Sequence, residues 1–185
     1  MYFTKVPVFS FFDLQIVLTR DTFNDLGKPE KLSLIKLLEK KEFKLGISAG
    51  RTYSNKIRTI LNNNDSNIMT YAQGNVASSL LKMLVRNRFD YMFLYPEEAV
   101  YYSKNLSKSE NIVTVPISEI EDYGNSWAVC TNNDMGKVAI AKITDILLKI
   151  RKNTQYMNYY TKHISSNLHQ YYKEHFRNIF LNIYE

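Results

Sequence analysis

The chain has 185 residues, enough for one ordinary domain or two small lobes. Hydrophobic residues make up 45% and charged residues 23%, so a packed core is expected and global disorder is excluded. The formal net charge is +6, but no basic run exceeds two residues, as in Lys40-Lys41. A dedicated nucleic-acid binder concentrates its positive charge on one face, so we predict no nucleic-acid partner.

Cysteine content and hydropathy bear on disulfide bonds, membrane spans and signal peptides. Cys130 is the single cysteine, which excludes a disulfide within the chain. Because no histidine lies near it in sequence and Trp127, Ala128 and Val129 surround it, we predict a buried structural thiol on a strand. No apolar run reaches the roughly 18 residues that a membrane span needs, so no transmembrane segment is predicted. The first 15 residues lack a basic lead-in and a small-residue cleavage site, so no signal peptide is expected in them.

Strand and helix patterns alternate through the first 130 residues. Short β-branched or aromatic runs predict strands at residues 14–19, 43–48, 67–71, 89–95, 112–116 and 126–131. Helices are predicted after Ser33, at 53–62 and 75–87, and from Pro96; a loop is predicted at 21–30. This order indicates an α/β fold whose largely parallel sheet is covered on both faces.

From Met135 onward the pattern becomes helical. One helix is predicted at 137–151, and a nearly continuous helix from 155 to the end. Apolar side chains recur in this last segment at three- and four-residue spacing and form a stripe: Met157, Tyr160, Ile164, Leu168, Tyr171, Phe176, Ile179 and Ile183.

The most informative segment for function is KLGISAGRTY, residues 44–53. A predicted strand ends, a glycine-containing turn follows, and a helix begins. Gly50 lets the backbone approach a ligand, Thr52 and Ser54 offer hydroxyls, and free N–H groups at the helix start favour an anion such as a carboxylate. The segment lacks the further glycines of a dinucleotide fingerprint and the Lys of a P-loop, so an ordinary capped turn is an equal interpretation.

Two more turns are expected at the same edge of the sheet. The strand at 89–95 would place Tyr95 and Glu97 there, and Gln73-Gly74-Asn75 would form another turn on that side. Ligands of open α/β sheets bind at the carboxyl ends of the strands, so three converging turns predict a ligand site.

Catalytic and metal-binding alternatives are weaker. His163, His169 and His175 are six residues apart, so successive ones on a straight helix would point about 120° apart, and we interpret them as surface residues. Glu97-Glu98 and the pair Glu119 and Glu121 are expected on solvated faces. Tyrosine pairs 159–160 and 171–172 are expected to pack in a core or interface. We predict no catalytic residues, no metal and no cofactor, hence a binding protein rather than an enzyme.

Three segments carry a resemblance to a known family. KLGISAGRTYSNKI (44–57) resembles the strand, turn and helix that open the second lobe of type II periplasmic solute-binding proteins. LLKMLVRNRFDYMFLYPEEAVYY (80–102) is similar to the helix and strand that follow, and WAVCTNNDMGKVAIAKITDILLKIRKNTQYMNYYTKH (127–163) to the return strand and helices. The resemblance covers roughly residues 2–170. It is closest to the amino-acid-binding type associated with ABC transporters.

The resemblance implies two lobes joined by two crossing strands, here 14–19 outgoing and 126–131 returning. Residues 20–125 would be the second lobe, and 1–19 with 126–185 part of the first lobe with its C-terminal helices. The family's first lobe has further residues before a segment that resembles MYFTKVP, and they include the arginine that holds a ligand's carboxylate. Arg51 is expected either to replace part of that cationic group or to pair with a nearby carboxylate.

The resemblance also implies a function. The chain is expected to bind a small polar, amino-acid-like solute in transport or sensing, in the periplasm or outside the cell. Its ligand residues would be Gly50, Arg51, Thr52, Tyr53, Gln73, Tyr95 and Glu97. The alternative is an interaction protein that kept the fold but binds a protein partner or itself. Because much of the first lobe would be lacking, we also expect the C-terminal apolar stripe to be exposed and to form a homo-oligomer or bind a partner.

Overall fold

The computed structural model describes residues 1–63, 67–72, 76–104, 106 and 111–184. The chain forms two compact units. One comprises residues 13–122, and the other combines residues 1–12 with 123–185. The chain passes from one unit to the other between residues 12 and 13, and returns between residues 122 and 123. Both points lie earlier in the chain than the predicted boundaries, which were after residues 19 and 125.

The unit 13–122 contains a five-stranded sheet in the order β5-β4-β6-β3-β7. Its strands are β3 (Gln15–Thr19), β4 (Leu45–Ser48), β5 (Ile68–Tyr71), β6 (Tyr91–Leu94) and β7 (Ile112–Pro116). β4 pairs in parallel with β5 and β6, whereas β3 runs antiparallel to β6 and β7. The prediction of a largely parallel sheet is confirmed, since four of its five strands run in one direction.

Helices cover both faces of this sheet, as predicted. They are α1 (Arg20–Asp25), α2 (Leu34–Glu39), α3 (Asn55–Asn62), α4 (Val76–Leu84) and α5 (Pro96–Ser103). α2 and α3 pack with Ile16 and Leu18 of β3 in one apolar cluster, and α4 and α5 pack with Val17 in another. The alternation of strand side chains between faces therefore divides the core into two layers.

Two sequence-based expectations for this unit are wrong. β3 is not a crossing strand: it lies inside the sheet, where Ile16, Val17 and Leu18 are fully buried, because both faces of a central strand are covered. Residues 20–25 are not a loop but the helix α1. The Thr19 hydroxyl accepts a hydrogen bond from the Thr22 N–H at 3.2 Å, and this N-cap stabilises the helix start despite the polar sequence.

The second unit is built on two short antiparallel pairs. β1 (Tyr2–Phe3) pairs with β9 (Val129–Cys130), and β2 (Phe9–Phe12) pairs with β8 (Tyr123–Ser126). The chain passes between the two units next to β2 and next to β8, not at the predicted strands 14–19 and 126–131. The single strand predicted at 126–131 is divided between β8 and β9. Gly124 suits this pairing, because a Cβ there would lie 2.6 Å from the ring of Phe11 on the opposite strand.

Three helices complete this unit. α6 (Asp134–Ile150) is capped by Asn133, whose side chain accepts from the Gly136 N–H at 2.7 Å. α7 (Thr154–Thr161) and α8 (His169–Asn178) follow, with 3₁₀ turns at Ser166–Leu168 and Phe180–Asn182. The nearly continuous helix predicted from residue 155 is therefore interrupted, and the interruption lets α7 and α8 pack together and against the β2–β8 pair.

The C-terminal apolar stripe is largely buried, contrary to expectation. Met157, Tyr160, Ile164 and Phe176 pack with Phe12 of β2 in one aromatic cluster that also contains Tyr172 and Phe180. Tyr171 and Ile179 remain exposed. A short strand pair thus covers most of the surface that was expected to need a partner.

The expectation that His175 lies on the surface is also wrong, because this residue lies in the core of the unit. Its Nε2 is 2.8 Å from the Ser10 hydroxyl, and its ring stacks on Tyr123 with 3.7 Å between centroids. Burial lowers the pKa of His175 below its ordinary value of 6.5, since the charged imidazolium is poorly solvated there. His163, by contrast, is exposed.

The buried His175 predicts a pH-dependent stability. Its pKa is lower in the folded than in the unfolded chain, so the unfolded state takes up a proton first as the pH falls below about 6.5. The free energy of unfolding should therefore decrease between pH 7 and pH 5, measured by urea denaturation at each pH. His175→Gln should flatten this slope, whereas His163→Gln should leave it unchanged. Equal slopes in all three proteins would contradict the prediction.

Candidate functional site

The candidate site lies at the carboxyl edge of the sheet in unit 13–122. β4 and β6 are parallel neighbours, so the turn after Ser48 and the start of α5 after Leu94 meet at that edge. The turn is closed by a 3.3 Å hydrogen bond from the Arg51 N–H to the Ser48 carbonyl. α3 begins only at Asn55, with Ser54 as its N-cap.

A cavity of about 450 Å³ occupies this edge. Glycine, aromatic and aliphatic residues form most of its wall, and Arg51 and Glu98 bring opposite charges. Its lining comprises Gly46, Ser48, Gly50, Arg51, Tyr53, Ala77, Leu80, Met92, Phe93, Leu94 and Glu98. A second hollow of about 580 Å³ shares Ser48, Arg51 and Tyr53 with it. The volume suits a small molecule.

Arg51 forms the central contact of the site. Its Nη2 lies 2.7 Å from Glu98 Oε2, and its Nη1 lies 3.3 Å from Oε1, so the ion pair is bidentate. The guanidinium also lies over the ring of Tyr95, 5.2 Å from the centroid. Of the two roles expected for Arg51, pairing with a nearby carboxylate is the one observed.

Glu98 holds this arrangement to the start of α5. Its Oε2 accepts a 2.9 Å hydrogen bond from the Tyr95 N–H, the N-cap of the helix that Pro96 opens. Glu98 therefore links the end of β6 to the turn after β4. Its carboxylate is held by two donors, so its position is defined before any ligand arrives.

Two tyrosines add neutral hydroxyl groups near this pair. Tyr53 lines the cavity and packs edge-on against Phe93, with 5.6 Å between ring centroids. Burial raises the pKa of Tyr53 and of Tyr95 above the ordinary value of a tyrosine. The positive charge of Arg51 acts in the opposite direction, but its effect is smaller than that of burial. Both phenols stay protonated at neutral pH.

The sequence-predicted residues fall into three groups. Gly50, Arg51 and Tyr53 line the cavity. The ring of Tyr95 contacts the Arg51 guanidinium. Thr52 follows Arg51 in the chain and is exposed, and Glu97 is half-buried in the first turn of α5. Gln73 and the turn that it was predicted to form lie outside the described residues.

Sequence reasoning missed the role of Glu98, which it placed with Glu97 on a solvated face. One available signal was its position: an acidic residue three places after Tyr95, in a helix opened by Pro96, matches a capping box. The partner of Glu98, Arg51, lies 47 residues away, and only the parallel pairing of β4 with β6 brings the two together.

Gln15 is a further polar group at this edge that the sequence did not indicate. It pairs with Leu94 in the β3–β6 register and is 2% exposed. Within the described part of the chain, its Oε1 has no hydrogen-bond partner. An unpaired buried acceptor is costly, and Gln15 is not among the residues that line the cavity.

Other candidate groups have structural roles or none. Glu119 accepts hydrogen bonds from the Ser33 hydroxyl and from the Leu34 and Ile35 N–H groups, so it caps α2. Cys130 is half-buried rather than buried, because its strand has only two residues and one partner. Among the described residues, no three His, Cys, Asp or Glu side chains are grouped to hold a metal. No helix there is long and apolar enough to cross a membrane.

Comparison with known proteins agrees with this architecture. No family model matches the chain, and no curated protein matches its sequence. Among solved structures, an ancestral arginine-binding protein bound to arginine is 21% identical in sequence and superimposes with a TM-score of 0.56. The match covers 88% of this chain and 64% of the arginine-binding chain. An arginine transport-system periplasmic binding protein from Legionella pneumophila is 21% identical with a TM-score of 0.51, covering 88% and 65%.

A third structure, the periplasmic binding protein XoxJ from Methylobacterium extorquens, is 16% identical with a TM-score of 0.53. The match covers 98% of this chain and 72% of that one. Another match is named as an ancestral amino-acid-binding protein and a precursor of cyclohexadienyl dehydratase. The chain therefore has the fold of the type II periplasmic solute-binding proteins, as the sequence resemblance predicted. It spans less than two thirds of the length of the arginine-binding structures.

The links that Glu98 makes predict a measurable contribution to stability. Glu98→Ala removes the acceptor for the Tyr95 N–H and the partner of Arg51, so the free energy of unfolding should fall by about 1 kcal/mol. Glu98→Gln keeps an acceptor oxygen for the helix cap and should lose less. Urea denaturation at neutral pH measures both. Equal losses would mean that the cap contributes nothing.

Proposed function

We propose that this protein binds a small polar, amino-acid-like solute at the carboxyl edge of the sheet in unit 13–122. The observation that carries the proposal is the juxtaposition of Arg51, Glu98 and Tyr53 around a cavity of about 450 Å³. Guanidinium, carboxylate and phenol groups in one apolar-walled cavity suit a ligand with both charges and some apolar surface. Solved structures of the same fold are named as amino-acid-binding proteins, which supports this solute class.

The proposed ligand contacts follow the turn after β4. The backbone from Gly50 to Thr52 and the side chains of Arg51, Thr52 and Tyr53 would hold the polar end of the solute. Tyr95 and Glu97 at the start of α5, and Gln73, which lies outside the described residues, complete the proposed set. Arg51 already lies in the cavity wall, and the exposed Thr52 follows it in the chain.

We propose that unit 13–122 corresponds to the second lobe of the solute-binding proteins, and residues 1–12 with 123–185 to part of the first. We also propose a role in transport or sensing, in the periplasm or outside the cell, which is supported because several structures of this fold are named as periplasmic or transporter-associated. Binding without catalysis is the proposal, which is supported by solved structures of this fold that are named as binding proteins.

Substitutions in the turn test the proposed site. Arg51→Ala should weaken binding of a stabilising amino acid by about tenfold or more, because a charge-assisted hydrogen bond is lost. Thr52→Ala should weaken it less. Thermal shift with a panel of amino acids identifies the solute, and calorimetry measures its affinity. Lys56→Ala on the exposed side of α3 removes the same charge outside the cavity and serves as the control. Unchanged affinity in both turn variants would place the site elsewhere.

An interaction protein is the second candidate, favoured by one surface of α6. Met135, Ile146 and Ile150 are 81%, 55% and 42% exposed and, with the half-buried Ala139 and Ile143, form a stripe along one side of the helix. An exposed apolar stripe of this length is typical of an interface. Under this alternative the protein self-associates or binds a protein partner through α6, instead of through the mostly buried stripe of α7 and α8.

Light scattering tests the second candidate. If α6 mediates self-association, the wild-type chain should be dimeric at tens of micromolar, and Ile146→Lys should make it monomeric, since the new charge would be buried in the interface. Asn132→Lys adds the same charge at an exposed position outside the stripe and should leave the dimer intact. A monomeric wild type at that concentration would argue against self-association.

A further inference from the structure

Another cavity of unit 13–122, here called the lysine cavity, is lined by Lys31, Lys36 and Lys40 above an apolar floor. Its volume is about 320 Å³, and it shares no lining residue with the candidate site or with the hollow beside that site. We propose that the lysine cavity binds the dianionic phosphate group of a small phosphomonoester, whose organic part lies on the apolar floor. This site goes beyond the proposed function and does not depend on it.

The walls of the lysine cavity come from three places in the chain. Leu26 is the C-cap of α1, Ser33 is the N-cap of α2, and Ser118 lies just after β7. Two backbone hydrogen bonds of 2.9 Å join Leu32 to the end of β7: its N–H donates to the Pro116 carbonyl, and its carbonyl accepts from the Ser118 N–H. The fold therefore forms this cavity before any ligand enters.

Positive charge is concentrated at this cavity. None of the described residues that line it is acidic. Lys31 has a countercharge, since its Nζ lies 2.7 Å from both carboxylate oxygens of Asp122. Lys36 and Lys40 are exposed and form no ion pair with any residue that the structure describes; Lys40 only lies over the Phe43 ring, 5.6 Å from its centroid. Two of the three charges are therefore available to an anion.

The positions of Lys36 and Lys40 favour one doubly charged group. They are four places apart at the C-terminal end of α2, a spacing at which like charges on a helix repel each other. An anion between them relieves that repulsion. The neighbouring carboxylate of Glu119 does not do so, because it is held by the Ser33 hydroxyl and by N–H groups at the start of α2. A dianion therefore balances the two free lysines.

The floor of the cavity indicates that the ligand is more than an inorganic ion. Leu32 and Leu37 are 8% and 3% exposed, and both line the cavity with the half-buried Leu26. Such a surface favours an organic group, and the volume is at the lower end of the range for small-molecule sites. Lysine ammonium groups bind phosphate as point charges, and the exposed Ser118 adds a hydroxyl. Together these groups fit a small phosphomonoester.

Two probes with the same ring test the proposal: phenyl phosphate, and benzoate, which carries one charge. Each is titrated into the full chain up to about 20 mM, and NMR chemical-shift changes report binding and its place. At pH 7.5 phenyl phosphate should bind at least about fivefold more tightly than benzoate and should shift the Ser33 and Ser118 amides. At pH 5 the advantage should fall below about twofold, because the second pKa of a phosphate monoester is about 6.

Substitution of the two free lysines locates the site. Lys36→Gln and Lys40→Gln should each weaken phenyl phosphate binding by about threefold, and the double variant by about tenfold, as expected for solvent-exposed charge pairs. Lys82→Gln removes the same charge from an exposed position on α4 outside this cavity and should leave the affinity unchanged. Raising the salt from about 50 to 500 mM should weaken binding more in the wild type than in the double variant.

Three results would overturn the phosphate site. One is an absence of phenyl phosphate binding to the wild type at pH 7.5. Another is equal affinity in the wild type and the double variant, or shifts centred on Gly50 and Arg51 instead of Ser33 and Ser118. The third is benzoate binding as tightly as phenyl phosphate at pH 7.5. None of these bears on solute binding at Arg51, which the amino-acid panel tests separately.

Discussion

The parallel pairing of β4 with β6 is the constraint on which the candidate site depends. Leu45 lies beside Tyr91 and Gly46 beside Met92, so the two strands end at the same edge and their following turns meet. Gly46 gives the Phe89 ring room to pack over β4, because a Cβ there would lie 2.6 Å from that ring. The pairing of the strands brings Arg51 after β4 and Glu98 after β6 within hydrogen-bonding distance.

Burial explains both the rigidity and the polarity of that edge. The sheet is covered by apolar layers on both faces, so polar groups can concentrate only where strands end. The polar groups found there restrain one another: Glu98 caps α5 and holds Arg51, and Arg51 lies over Tyr95. Such mutual restraint keeps the groups in place for a ligand, but it also means that the ligand competes with contacts already made.

The second unit follows a different principle, in which aromatic packing replaces an extended sheet. Its strand pairs are short, yet Phe12, Tyr160, Tyr172 and Phe176 form a continuous buried cluster on them. His175 belongs to this layer because its ring stacks on Tyr123 and its Nε2 reaches the Ser10 hydroxyl. A small sheet is sufficient here because each aromatic ring buries a large area.

Local patterns in the sequence were enough to predict the class of unit 13–122 and most of its elements, with the helix α1 as the exception. The Ser33 cap, the helix opened by Pro96 and the strand at 112–116 all depend on short-range chemistry, and the structure has them where the sequence indicated. The same patterns predicted that the turn after β4 and the start of α5 share an edge, since that follows from alternating strands and helices. Pairing with a nearby carboxylate was one of the two roles expected for Arg51, but the carboxylate was not identified.

Tertiary structure decided which long-range partners each residue has. Nothing in the sequence around His175 distinguishes it from His163; one is buried because α8 turns that face toward β2 and β8. The apolar stripe of α7 and α8 was visible, but its partner, the strand Phe9–Phe12, lies about 150 residues earlier in the chain, as in the hydrogen bond from the Phe12 N–H to Tyr160. Periodicity determines which face of an element is apolar, whereas the pairing of faces and charges depends on the free energy of the whole fold, which no local pattern contains.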